Sequence, residues 1–151
     1  MPTKAKGHWE FTEKLTPESH TGFVYLIYNK FHHRFYIGRK FYRVRKGKRK
    51  GKQHAWESYV SSSTWLKDDI KLLGKEQFRF IILEEYETLG GLGWAETWSL
   101  CNVQVPENND EWYNRRIEKV TWKSPERITD RHKRRLKYYI NKLRKENDRN
   151  T

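Results

Sequence analysis

Two short alternating runs, Gly22-Phe-Val-Tyr-Leu-Ile-Tyr28 and Arg34-Phe-Tyr-Ile-Gly38, constrain this chain more than any other feature. Alternation with a period of two places every second side chain on the same face of a strand. The segment between them, Asn29 to His33, has the length of a hairpin turn but no glycine, which leaves the turn type open. With Val24, Leu26, Phe35 and Ile37 on the core face, Tyr25 and Tyr36 share the opposite one. Two phenols then stand side by side just before a strongly basic stretch. That arrangement suits a site that holds a phosphate.

A length of 151 residues fits one domain with a tail. Lys and Arg number 32 against 19 Asp and Glu, a net charge of +13, which points to a polyanionic partner such as nucleic acid. Seven tryptophans and 15% aromatic residues exclude a disordered basic tail. Cys101 is the only cysteine, so an internal disulfide and a zinc cluster are excluded and a reducing compartment fits. No apolar run is long enough to span a bilayer, and no signal-peptide pattern appears. The expectation is a soluble, cytoplasmic protein with no membrane partner. There is no Ser/His/Asp arrangement and no phosphate loop of the NTPase type.

Residues 1–20 read as a flexible lead-in, with Trp9 and Phe11 docking on the domain. Residues 39–52 hold nine Lys or Arg and no acid, with Gly47 and Gly51 making a mobile loop or an interrupted helix. A helix is expected from Ser63 or Thr64 to Leu73, with a stripe of Leu66, Ile70 and Leu73 and a stop at Gly74. Phe78 to Leu83 reads as a central strand, and Glu84 to Gly91 as an acidic turn region. A second helix, Leu92 to Val103, carries the stripe Leu92, Glu96, Ser99, Leu100 and Val103. Glu96 is therefore an acid on a core-facing stripe, costly unless paired or binding a metal. Ser124-Pro125 opens a third helix that continues to Lys145. Its surroundings, Lys123 to Arg149, hold eleven basic and four acidic residues. The fold class expected is α/β, a small central antiparallel sheet of about three strands flanked by helices, with a basic helical C-terminal extension.

The order of these pieces resembles the GIY-YIG nuclease superfamily. Phe23-Val24-Tyr25 is a variant of its first motif that keeps the tyrosine, and Tyr36-Ile37-Gly38 matches the second in full. The helix to Gly74 and the run from Phe78 to Glu84 look like the family's middle section, and Tyr113-Asn114 like its closing motif. The resemblance covers residues 21–118, a nuclease domain between the lead-in and a basic DNA-binding extension at 119–151. The words Ser-Ser, Asp-Asp-Ile and Gly-Lys-Glu-Gln-Phe also look like phage-borne relatives of homing endonucleases.

The resemblance implies a metal-dependent DNA endonuclease. Tyr25 and Tyr36 would orient and deprotonate the water, with the basic run lowering their pKa. Glu96 would bind Mg²⁺ (or Mn²⁺), which suits a site with few protein ligands, and Asn114 would support the site by hydrogen bonds. At the position of the family's arginine this chain has Lys46, with Arg45 beside it and Arg39, Arg43 and Arg49 near. Arg45 and Arg39 rank first as the catalytic arginine. Lys40, Arg43, Lys46, Lys48, Arg49 and Lys50 are expected to make phosphate contacts, and Arg131, Lys133, Arg134 and Arg135 to bring the last helix to double-stranded DNA. The protein would act as a monomer or a transient dimer. The competing class is a non-catalytic basic nucleic-acid-binding protein, which would need the charge and the aromatics but not Glu96.

Overall fold

The computed structural model describes residues 4–117 and 123–150. Its elements, in chain order, are β1 (Lys4–Lys6), β2 (Trp9–Phe11), β3 (Gly22–Asn29), β4 (Arg34–Phe41), α1 (Thr64–Leu73), β5 (Phe78–Tyr86), α2 (Leu89–Asn102) and α3 (Asp130–Asn150). The expected α/β class holds, but the sheet has five strands rather than about three, in the order β1-β2-β5-β3-β4. It is also mixed, because β2 runs parallel to β5 while the other pairs are antiparallel.

The extra strands come from the segment expected to be a flexible lead-in. Trp9 pairs with Phe80 across the parallel ladder, and Trp9 and Phe11 are both buried. Each strand spans three residues, too short for an alternating pattern to show in the sequence.

The hairpin forms with the expected faces. Val24, Leu26, Phe35 and Ile37 join Ile81 and Leu83 in a core covered by α2 and α3. The opposite face is not open surface. Phe23, Tyr25 and Ile27 pack there with Trp9, Tyr42, Trp56, Leu66 and Ile82 in a second core, covered by α1 and the loop before it. The sheet is thus the middle layer of three. The turn is resolved without glycine: Asn29 Oδ1 accepts from the N–H groups of Phe31 (2.9 Å) and His32 (3.0 Å), and His33 takes the left-handed conformation (φ 54°).

α1 occurs as expected, with Ser63 Oγ accepting from Leu66 N and Gly74 ending it at φ 92°. β5 runs three residues further than expected, through the supposed acidic turn. Glu84 and Glu85 are buried there because each carboxylate is fully bonded. Glu85 takes the N–H and hydroxyl of Thr16 and the hydroxyl of Tyr42, while Glu84 takes the guanidinium fork of Arg131 at 2.8 and 2.6 Å. α2 begins three residues early, at Leu89, behind a Thr88 cap. Its Gly90 and Gly91 look like breakers in the sequence, yet they let the Lys123 carbonyl and the Glu126 carboxylate approach closely.

α3 starts at Asp130, not at Ser124-Pro125. Ser124 instead closes a local turn onto Glu126, and Thr129 Oγ1 caps the helix by accepting from His132 N (3.0 Å). α3 does not stand apart from the domain, because Leu136, Tyr139, Ile140 and Leu143 are part of the core. The expected boundary near 118 and 119 falls outside the described residues. Arg135 is 1% exposed and donates to the Ile82 carbonyl, and Arg131 is engaged with Glu84 and Glu13. Both were expected on a nucleic-acid face; Arg135 points inward because the helix docks through this side, and Arg131, partly exposed, is held between two carboxylates. Lys133 and Arg134 are exposed. Among the described residues, no helix is long and apolar enough to cross a membrane.

His132 ties α3 to the sheet. Ser99 Oγ donates to the Ala95 carbonyl, so it accepts from His132 Nε2 (2.7 Å), leaving Nδ1 to accept from the Tyr86 hydroxyl (2.9 Å). This needs the neutral ring, and burial pushes its pKa down to about 4. A folded value below the unfolded one of about 6.5 means that its contribution is complete above that pH and is lost as pH falls toward 4. Over that interval the loss is about 3 kcal/mol. Urea unfolding between pH 7.5 and 4.5 is expected to show it, with His132→Gln less stable at pH 7.5 and declining less steeply. Parallel declines would exclude the assignment.

Candidate active site

The hairpin sets two phenols at one end of the sheet. Tyr25 pairs with Gly38 and Ile27 with Tyr36, so the tyrosines are diagonal neighbours with ring centroids 6.0 Å apart. Gly38 lets this happen, because a Cβ there would collide with the phenol oxygen and Cζ of Tyr25. Tyr25 is 1% exposed, while Tyr36 is half-buried.

Next on β4, Arg39 turns toward α2. Its Nε lies 3.7 Å from Glu96 Oε1, and both side chains are partly exposed. Gly93, one turn before Glu96, leaves the space that the Arg39 guanidinium occupies. Asn114 closes the arrangement from the far edge of β4. Its Oδ1 accepts from Ile37 N (2.9 Å) and its Nδ2 donates to the Ile37 carbonyl (2.8 Å). The amide thus continues the ladder that Phe35 makes with Glu111 and Tyr113.

Tyr25, Tyr36, Arg39, Glu96 and Asn114 line one cleft of about 540 Å³, together with Ser62, Ser63, Tyr113, Arg115 and Arg116. Five of the six catalytic candidates therefore meet. The sixth, Arg45, stacks on Phe41 in the basic loop (5.5 Å) and does not line the cleft. Beyond Phe41 that basic stretch is neither helix nor part of the site wall. It is a loop closed by Val44 N to the Lys52 carbonyl, with Gly47 and Gly51 at positive φ. Arg43, Lys46, Lys48, Arg49 and Lys50 are exposed on it. Lys40 instead lies over the ring of Tyr59, 4.0 Å from its centroid, with its pKa lowered by burial.

The family model described as "Putative endonuclease segE, GIY-YIG domain" matches residues 7–117. The chain belongs to the GIY-YIG endonuclease superfamily. No curated protein and no solved structure matches it. The GIY-YIG match takes in β2, which the sequence pattern alone did not reveal, and ends before α3.

One electrostatic expectation for this cleft is overturned at Tyr25. Burial, then Tyr36, Tyr59 and Glu96, hold the Tyr25 pKa well above the ordinary phenol value. The basic run does not lower it, since that run folds away as a loop and Arg39 faces Glu96. Tyr25 is therefore a neutral phenol at physiological pH. Tyr59 was missed as a neighbour: its ring packs edge-on against Tyr25 with centroids 6.3 Å apart, and its own pKa is raised, chiefly by burial. Arg115 and Arg116 were visible after Tyr113-Asn114, and their place directly behind a closing motif was the available signal.

A divalent cation in this cleft would meet one carboxylate, that of Glu96. Among the described residues no group of three His, Cys, Asp or Glu could hold a metal, so Glu96 would be the sole protein ligand of this cleft. An open cleft leaves room for waters and phosphate oxygens, which suits Mg²⁺.

Proposed function

We propose that this chain is a metal-dependent endodeoxyribonuclease that hydrolyses phosphodiester bonds in double-stranded DNA. The observation that carries the proposal is the convergence of two phenols, Arg39, Glu96 and Asn114 on one cleft of a +13 chain. Arg39 holds the scissile phosphate through its planar fork. Of the arginines after Gly38, it has the support of proximity to Glu96. Tyr25 orients the attacking water through its protonated hydroxyl, and Tyr36, the more accessible phenol, serves as the base in the fraction of molecules where it has already lost its proton to solvent, its phenolate oxygen taking the water's proton as the water attacks phosphorus. Asn114 fixes the strand that carries Tyr36. A divalent ion held by Glu96 would supply charge stabilisation to the phosphate and the leaving 3′-oxygen.

Lys46, Lys48, Arg49 and Lys50 on the loop, and Lys133 and Arg134 on α3, supply salt-sensitive phosphate contacts. One such site reaches one strand, so a double-strand cut requires a transient dimer or a second event. Likeness to homing-type relatives supports a phage or mobile-element setting. The test is incubation with supercoiled plasmid and phage genomic DNA, with Mg²⁺, with Mn²⁺ and with EDTA. Nicking only with metal is the expected result. Tight DNA binding with no cleavage under any metal would favour the non-catalytic binder.

A further inference from the structure

Beside the cleft lies a second cluster that the nuclease reading leaves unassigned. Trp65, in the first turn of α1, has two guanidinium centres over its ring, Arg34 and Arg115, each 4.5 Å from the centroid. Tyr113 packs edge-on against the indole at 4.8 Å and is itself fixed, donating to Asp69 Oδ2 (2.6 Å) and accepting from Asn29 Nδ2 (2.8 Å). The end of β3, the start of β4, α1 and the closing segment thus combine to hold one indole between two arginines.

We propose that Arg34, Trp65 and Arg115 form a phosphate-binding subsite for the DNA strand next to the scissile phosphate. Twice 4.5 Å puts the two guanidinium centres within 9 Å of each other. Among the described residues neither forms an ion pair with a carboxylate. Arg34 uses one N–H on the Asp110 carbonyl (3.3 Å), and Arg115 is exposed. Two neighbouring cations without a direct ion-pair partner repel one another, and a phosphate between them removes that repulsion. Stacking on tryptophan also fixes the guanidinium planes, so little freedom remains to be lost when their edge N–H groups meet phosphate oxygens.

The indole serves as a support rather than a platform for a base, since the two cations already occupy it. Continuity with the cleft gives the subsite its place on the substrate. Ser63, Tyr113 and Arg115 line the cleft, and Ser63 caps the helix that carries Trp65. A strand entering past Arg39 and Glu96 would therefore leave along Arg115 and Arg34.

The inference rests on DNA being the substrate, so its test separates binding from turnover. DNA affinity of the Glu96→Ala protein is measured by fluorescence anisotropy from 50 to 300 mM salt, alone and with Arg34→Gln, Arg115→Gln or Arg115→Lys added. Each Gln change is expected to weaken binding about tenfold at low salt and to reduce the log–log salt slope by about one. Arg115→Lys is expected to keep the slope while losing part of the affinity, because it keeps charge but not the fork. In cleaving protein, the loss is expected in KM rather than kcat. Unchanged affinity and slope in both Gln variants would overturn the subsite. An unchanged KM with a fall in kcat alone would equally overturn it, by placing Arg115 on the scissile phosphate. If the Glu96 protein never cleaves DNA in either form, the nuclease reading fails while the binding arm still decides the subsite.

Discussion

Glu96→Ala should lower plasmid cleavage at least about a thousandfold while leaving DNA affinity intact or slightly improved. A thousandfold corresponds to about 4 kcal/mol of barrier, the size of contribution that a bound divalent ion makes to a phosphoryl transition state. The binding half of the prediction follows from sign. Glu96 is an anion in a cleft meant for a phosphate, and removing it takes away repulsion and releases Arg39 from its 3.7 Å contact. Stability should barely move, because the carboxylate is part-exposed and an ion pair at that distance contributes little. Glu96→Gln should be as inactive as the alanine form, since the amide keeps shape but loses the charge that holds a hard cation. The measurement is the supercoiled-to-nicked rate in Mg²⁺ beside a gel shift in EDTA. Wild-type cleavage by either variant would remove Glu96 from the mechanism.

How much of this was legible beforehand depends on what kind of information each element carries. The faces of β3 and β4 were legible because alternation maps directly onto geometry, and Ser63 and Gly74 marked α1 through their capping chemistry. Glu96 stood out because an acid on a core stripe demands a reason. By contrast, β1 and β2 are too short to show a period, and their burial is decided by β5, a distant partner. Gly90 and Gly91 looked like a helix stop, since close approach by Lys123 and Glu126 is a tertiary fact.

The charge on α3 misled for a similar reason. Arg131 and Arg135 count as cations in a basic run, yet Glu84, buried at the end of β5, takes the fork of one of them and the Ile82 carbonyl holds the other in the interior. Where the four arginines after Gly38 lie relative to Glu96 likewise needed three dimensions. Only the space left by Gly93 brings Arg39 to Glu96.

The largest effect on stability is expected at Asn114. Its amide makes two buried hydrogen bonds to the backbone of Ile37, the residue between Tyr36 and Gly38. Asn114→Ala strands a buried N–H and a buried carbonyl, at about 1–3 kcal/mol for each group left unpaired. A combined loss of about 3 kcal/mol lowers Tm by about 10 °C in a chain of this size. The protein should still fold, because Phe35 keeps its backbone bonds to Glu111 and Tyr113 and its stacking on Trp112. Activity should fall by more than folding alone explains, since Tyr36 loses its fixed strand. Asn114→Asp separates hydrogen bonding from mere size. One carboxylate oxygen can still accept from Ile37 N, but the other faces the Ile37 carbonyl oxygen with no proton between them. That contact favours the protonated acid, so the folded pKa rises above the unfolded value of about 3.9. A raised folded value gives stability that is present at low pH and lost as pH rises through it. Relative to wild type, Asn114→Asp should therefore gain stability between pH 7.5 and pH 5, while the wild type itself declines through His132. Melting curves at the two pH values decide the matter, and an Asn114→Ala protein melting within 2 °C of wild type would show that the amide does not hold the strand.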